Sequence, residues 1–360
     1  MQRVYNFSAG PAMMPEEALD KAAQEMLCYG QTGMSVMEMS HRAKAYQEIF
    51  AHTQELVREL MHVGEEYAVL FLQGGATGQF AAVAMNLLTG SGRADYVDSG
   101  VFAHGAMLEA RKYGQANCVA SSREEGYVRI PALDESRFDP EADYFYITTN
   151  NTIYGTKYPQ LPKTGKVPLV ADMSSNILSE PYDVRDFGMI FAGAQKNIGP
   201  AGFALVIVRR DLIGHAMAIT PKIWDYKGMD EADSMINTPP TYAIYTAGLC
   251  LEWLKKQGGV EGIAQLNREK ASWLYAYLDD SALFKPVADP SCRSIMNVTF
   301  RTGDEALDAE FIKSATAAGL TNLKGHRSAG GMRASIYNAM PAQGVKALVE
   351  FMKKFEMEHK

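Results

Sequence analysis

Phe191-Ala-Gly-Ala-Gln195-Lys196-Asn197-Ile-Gly199-Pro200 decides how the rest of the chain is read. One lysine, Lys196, stands among small residues, shortly before Phe203-Ala-Leu-Val-Ile-Val208, an apolar, β-branched run with the pattern of a buried strand. Lysine is seldom buried without a partner, and Gly and Ala on both sides leave room for a bulky group against the backbone. A desolvated amine gives up its charge readily and becomes a nucleophile, so the stretch suits a lysine that forms a Schiff base with an aldehyde cofactor. A solvated lysine in a surface loop would look the same in isolation. The company it keeps elsewhere in the chain has to decide.

The chain has 360 residues, 47% hydrophobic and 21% charged, the balance of an ordinary globular protein with one large domain and an appendage, or more. A net charge of -7 speaks against nucleic acid as a partner but leaves room for a local basic pocket. Cys28, Cys118, Cys250 and Cys292 lie far apart and form no Cys/His cluster, so neither a zinc site nor a disulfide framework is expected and a reducing cytoplasm suits them. The first residues show neither a secretory nor a transit pattern, and no apolar run approaches the length of a membrane span.

Residues 1–15 read as an extended arm, and Pro15-Glu-Glu-Ala-Leu-Asp20 opens a helix with proline and acids in the favoured places. Helical spacing predicts a long helix over 44–61. Strands are expected at 68–73, 94–97, 144–148, 167–171 and 189–192, alternating with helices. This is the pattern of a mainly parallel sheet covered on both faces. A helix over 242–256 ends at Gly258-Gly259, which reads as a hinge into a small α+β unit. The expected division is therefore an arm over 1–15, a large domain over 16–257 and a small C-terminal domain over 258–360.

In an open α/β sheet, ligands bind beyond the carboxyl ends of the strands. Five segments fall at that edge, and each answers a need of pyridoxal phosphate. The turn Gly74-Gly-Ala-Thr-Gly-Gln79 opens a helix whose free N-H groups can hold a phosphate, although any tight strand-to-helix turn could look so. Asp172 can hold a protonated pyridine nitrogen or merely cap Ser174-Ser-Asn176. Phe102 can cover the ring face or belong to the core, and Thr152 can offer its hydroxyl or close an Asn-Asn-Thr turn. Gln195-Lys196 completes the set. The coincidence of all five at one edge is the argument.

The chain resembles the phosphoserine aminotransferase family, in the class V group of fold type I pyridoxal phosphate enzymes. The likeness is carried by Asn6-Phe-Ser-Ala-Gly-Pro11, Ser40-His-Arg42, Gln73-Gly-Gly75 with Gln79-Phe-Ala81, Ala171-Asp-Met-Ser-Ser175, Ala192-Gly-Ala-Gln-Lys-Asn197, Asn237-Thr-Pro-Pro240 and His326-Arg327 with Gly331-Met-Arg333. The resemblance implies that Lys196 links to the cofactor and later moves the proton at the substrate α-carbon. It implies phosphate contacts from Gly75, Ala76 and Gln195, ring contacts from Thr152 and Asp172, and Phe102 where many relatives carry tryptophan. Asn237 and Thr238 would reach the phosphate of a neighbouring subunit, which makes the enzyme a homodimer.

For the substrates, the resemblance puts Arg333 on the α-carboxylate. His41, Arg42, His326 and Arg327, two cation pairs on an acidic protein, would meet a second anionic group; each pair taken alone also fits a solvated loop. The implied reaction moves the amino group of L-glutamate to 3-phosphohydroxypyruvate, giving O-phospho-L-serine and 2-oxoglutarate. A phosphorylated hydroxythreonine of vitamin B6 synthesis is a second substrate to test. Three rivals are weaker. The nearest is another class V enzyme, such as an alanine-glyoxylate aminotransferase or a cysteine desulfurase; a desulfurase needs a reactive cysteine on a mobile loop, and nothing near Cys292 activates it. A dinucleotide dehydrogenase needs the GxGxxG fingerprint, which is absent. A non-catalytic dimeric scaffold would need no such lysine.

Overall fold

The computed structural model describes residues 3–359. In chain order the first half holds β1 (Tyr5–Asn6), α1 (Glu16–Gln24), α2 (Lys44–Met61), β2 (Tyr67–Leu72), α3 (Gly75–Leu87), β3 (Arg93–Asp98), α4 (Val101–Ala110), β4 (Gln115–Ser121), β5 (Tyr144–Thr148), β6 (Asn150–Asn151) and β7 (Thr156–Lys157). There follow β8 (Leu169–Asp172), β9 (Met189–Gly193), β10 (Ala204–Arg209), α5 (Tyr226–Glu231), α6 (Thr241–Lys256) and α7 (Gly259–Asp280). The last part holds β11 (Lys285–Pro286), β12 (Asn297–Arg301), α8 (Glu305–Ala317), β13 (Leu320–Thr321), β14 (Met332–Ser335) and α9 (Ala342–Glu358).

Seven strands form the main sheet in the order β2-β10-β9-β8-β5-β3-β4. Only β10 is antiparallel to its neighbours, so β2 points the same way as β9 and the carboxyl ends of six strands share one edge. All six residues of β2 are buried, as a strand covered on both faces requires. Its side chains alternate: Val69 and Phe71 enter a core shared with α2 and α6, whereas Ala68, Leu70 and Leu72 enter one shared with α3, α4 and α5. The result is a three-layer α/β domain of the fold type I kind.

A second, smaller α+β unit has its own core around Phe284, Phe300, Phe311 and Phe355, on the sheet β11-β12-β14. The arm belongs physically to this unit, because β1 pairs in parallel with β13 and Phe7 enters the small core. Helices α6 and α7 are separated only by Gln257 and Gly258. Helix α7 then ties both units together: Val260 and Ile263 lie in the large core, while Ala271, Leu274 and Leu278 lie in the small one.

The expected helix over 44–61 forms over that span, and its apolar positions Tyr46, Ile49, Phe50, Leu56, Val57 and Leu60 are all buried. The sequence reading missed β4, an edge strand of polar and small residues with exposed Gln115 and Ser121. It also missed β14, four residues long and bordered by two glycines. Among the described residues no helix is long and apolar enough to cross a membrane, and no cluster of His, Cys, Asp and Glu could hold a metal ion.

Candidate active site

The carboxyl ends of β2, β3, β5, β8 and β9 converge on a cavity of about 340 Å³. Gly74, Gly75, Ala76, Phe102, Thr152, Asp172, Gln195, Lys196, His326 and Arg333 all line it. The first eight all belong to the five segments expected at one sheet edge. The last two come from the small unit, near and on β14, so the cavity lies between the two units.

Lys196 sits three residues beyond β9, enclosed by protein but open to the cavity, and its Nζ donates to Thr152 Oγ1 at 3.0 Å. Burial lowers its pKa from 10.5 to about 8; the Asp172 carboxylate opposes that shift and the Arg333 guanidinium adds to it. An amine with this pKa is a nucleophile and a base near neutrality, as the opening stretch suggested. Its Nζ is also 5.9 Å from the centroid of the Phe102 ring.

Asp172, the last residue of β8, is buried, and its Oδ1 accepts the Ser174 N-H at 2.8 Å. Burial raises its carboxyl pKa; Ser174 and Lys196 pull the other way. Among the described residues Ser174 is the only hydrogen-bond partner of that carboxylate, so it has capacity left for a cationic donor in the cavity. The capping alternative for Asp172 is therefore realised, and it is compatible with holding a cation.

Gly74 and Gly75 turn the chain from β2 into α3 with φ of 103° and 60°, a left-handed path that favours glycine. A Cβ on Gly75 would meet nothing within 4 Å on its outer side, so the turn presents bare backbone to the cavity. Phe102 is 40% exposed on the first turn of α4, which removes it from the core and leaves its ring to the cavity. Thr152 is buried and bonded to Lys196 rather than closing the Asn-Asn-Thr turn.

Arg333 Nη1 donates to the Thr152 carbonyl at 3.1 Å, which fixes the guanidinium at the cavity wall. His326 Nδ1 accepts the Ser328 N-H at 3.2 Å, and burial, followed by Arg333 and Arg327, lowers its pKa. Arg327, in the same turn, is exposed and stands outside the cavity lining. His41 is buried while Arg42, Asn237 and Thr238 are exposed, and none of the four lines this cavity.

The structure adds residues that the sequence reading did not assign to the site. Ala9 and Gly10 of the arm close over the lysine: a Cβ on Gly10 would lie 3.4 Å from the side chains of Gln195 and Lys196. Thr148, Asn150, Ser174 and Ser175 also line the cavity. Ser174 and Ser175 were within reach, since they follow Asp172 directly. Gly10 was not, because nothing local brings an arm near residue 196.

This site suits pyridoxal phosphate: a bare helix N-terminus for the phosphate, a partly unpartnered buried carboxylate for the ring nitrogen and an amine whose lowered pKa leaves a usable neutral fraction for the aldehyde. Fold and site define an aminotransferase of class V, and the family model Aminotransferase class-V matches residues 4–348. Phosphoserine aminotransferase of Bacillus cereus is 53% identical over 360 residues, covering 100% of both chains. A solved phosphoserine aminotransferase from Bacillus circulans subsp. alkalophilus has a TM-score of 0.96 at 42% identity, covering 100% of both chains. A pyridoxal-phosphate-bound one from Trichomonas vaginalis has 0.93 at 39% identity, covering 98% of this chain and 100% of that one. The chain belongs to the phosphoserine aminotransferase family.

Proposed function

We propose that this protein is a pyridoxal-phosphate-dependent transaminase that converts L-glutamate and 3-phosphohydroxypyruvate to 2-oxoglutarate and O-phospho-L-serine. The observation that carries the reading is the meeting of Lys196, Asp172, Thr152 and Arg333 in one cavity at the sheet edge. Its kinship with the phosphoserine aminotransferases supplies the substrate identity.

The N-H groups of Gly75 and Ala76 and the side chain of Gln195 would hold the cofactor phosphate, Thr152 the ring hydroxyl, Asp172 the ring nitrogen and Phe102 the ring face. When bound, the cofactor supplies an electron sink for the substrate α-carbon. Arg333 clamps the α-carboxylate of each substrate in turn, bidentately if its plane allows. Lys196 Nζ, neutral in a useful fraction near pH 7, takes the proton from the α-carbon of glutamate and, in the second half reaction, returns one to the new amino acid. Asp172 stays ionised beside a cation, which offsets the burial that raises its pKa. His326 and Arg327 meet the distal anion, a carboxylate in glutamate and a phosphate in the keto acid.

The exposed positions of Asn237, Thr238 and Arg42, away from this chain's own cavity, support a homodimer in which they serve the partner's site. His41 follows with Arg42. The division at 1–15, 16–257 and 258–360 is supported by the separate cores, with the arm docked on the small unit. Four free thiols, one of them exposed, favour the cytoplasm. Use of the phosphorylated hydroxythreonine substrate rests on the same pocket.

Borohydride reduction of the holoenzyme followed by peptide mapping tests the lysine assignment. The expected result is a pyridoxyl label on Lys196 and no covalent label in Lys196→Ala. A label on another lysine would overturn it.

A further inference from the structure

The turn that carries His326 and Arg327 rests on a small aromatic platform outside both main cores. Tyr127, Ile153 and Tyr154 form a buried cluster of their own, and Ala329 packs against it. The N-H groups of Ala329 and Gly330 both donate to the His326 carbonyl at 2.9 Å, so the height of Ala329 on the platform sets the position of His326 at the cavity. Ile153 directly follows Thr152, whose carbonyl holds Arg333. The platform therefore touches the proposed substrate pocket from below.

Tyr127 is an unusual member of it. Its φ is 58°, in the left-handed region that a bulky residue avoids, and it is 6% exposed. What holds it there is visible. Its hydroxyl donates to Asp98 Oδ1 at 3.0 Å, its N-H donates to the Ser122 carbonyl at 2.9 Å, and its ring lies 4.9 Å from that of Tyr154. Burial, with Asp98 beside it, raises the phenol pKa, so the group stays a donor.

Asp98 is buried at the end of β3, and its second oxygen accepts Ser121 Oγ at 2.9 Å and His104 Nδ1 at 3.2 Å. Arg123 Nη1 donates to the other ring nitrogen of His104 at 3.3 Å, which fixes the tautomer with the proton on Nδ1. His104 lies on α4 two residues after Phe102. One carboxylate thus ties the helix that presents Phe102 to the platform under His326.

We propose that Asp98 and Tyr127 are positioning residues for the substrate's distal anion: they hold the Tyr127–Ile153–Tyr154 platform on which Ala329 sets the His326–Arg327 turn over the cavity. This rests on the reading that the turn binds that anion. Neither Asp98 nor Tyr127 lines the cavity, so their effect must be transmitted.

The test uses Tyr127→Phe, which keeps the ring and removes only the hydroxyl, and Ala329→Gly, which removes the contact from the other side. In each holoenzyme the two half reactions are followed separately by absorbance with L-glutamate, with 3-phosphohydroxypyruvate, and with L-alanine, which has an α-carboxylate but no distal anion. Loss of the bond should weaken apparent binding of both anionic substrates on the order of 5- to 10-fold, and leave L-alanine within about 2-fold. Unchanged binding of the anionic substrates, or an equal loss with L-alanine, overturns the proposal. His326→Ala separates the two layers. If it discriminates glutamate from alanine while Tyr127→Phe does not, only the platform fails. If His326→Ala does not discriminate, the reading of the turn fails and the platform with it.

Discussion

Asp172→Asn tests the electrostatics of the lysine in a form that needs no cofactor. Burial takes Lys196 from 10.5 to about 8, against the pull of Asp172. At pH 7 that gives a neutral fraction of about one in ten, where an ordinary lysine has about one in three thousand, a gain of about 300-fold. Removing the carboxylate charge removes the influence that favours the ammonium, so the midpoint must move below that of the parent. The assay is acetylation of the cofactor-free protein over a range of pH, with the peptide that carries Lys196 quantified by mass spectrometry. The parent should show a midpoint near 8, and Asp172→Asn a lower one. The sign extends to stability: the unfolded chain keeps a proton that the folded one has shed between pH 8 and 10.5, so the cofactor-free parent gains stability as pH rises through that window. A parent midpoint near 10.5, or an upward move in Asp172→Asn, would refute the reasoning.

Lys270 of α7 is fully buried, and its Nζ donates to the carbonyls of Ile336 at 3.1 Å, Tyr337 at 2.8 Å and Met340 at 3.1 Å. Burial pushes its pKa down to about 7, while those oxygens favour the ammonium. Lys270→Met leaves them without their donor and should lower the stability to denaturant by about 3 kcal/mol; a loss under about 1 kcal/mol would mean that the carbonyls find other partners. Arg333→Lys keeps the charge but not the planar fork, so kcat/KM should fall about 10- to 100-fold for glutamate and for the keto acid alike in steady-state assays. A loss confined to one of them would move Arg333 from the shared carboxylate to the distal group.

The large domain was legible because its strands are short apolar runs at a regular spacing, and the lysine turn, Asp172 and Thr152 fall where those runs end. Strand β4 escaped because an edge strand needs only one buried side per residue pair, and Gln115-Ala-Asn-Cys-Val-Ala-Ser121 carries little apolar signal. The pairing of β1 with β13 joins residues more than 300 positions apart, and no local pattern announces it. For the same reason Gly10 at the cavity, Ala329 on its platform and the Asp98–Tyr127 bond could be seen only in three dimensions. The substrate cations show the limit from the other side. His326-Arg327 and His41-Arg42 are equivalent as sequence, yet of these four only His326 lines the cavity of its own chain.

The most direct test of the central claim is the visible absorption of the holoenzyme as L-glutamate is added, then 3-phosphohydroxypyruvate in one cuvette and pyruvate or glyoxylate in others. The account predicts that glutamate bleaches the band of the lysine-bound cofactor and that the phosphorylated keto acid alone restores it. A protein that stays colourless after incubation with pyridoxal phosphate, or a band restored equally by the unphosphorylated acids, would contradict it.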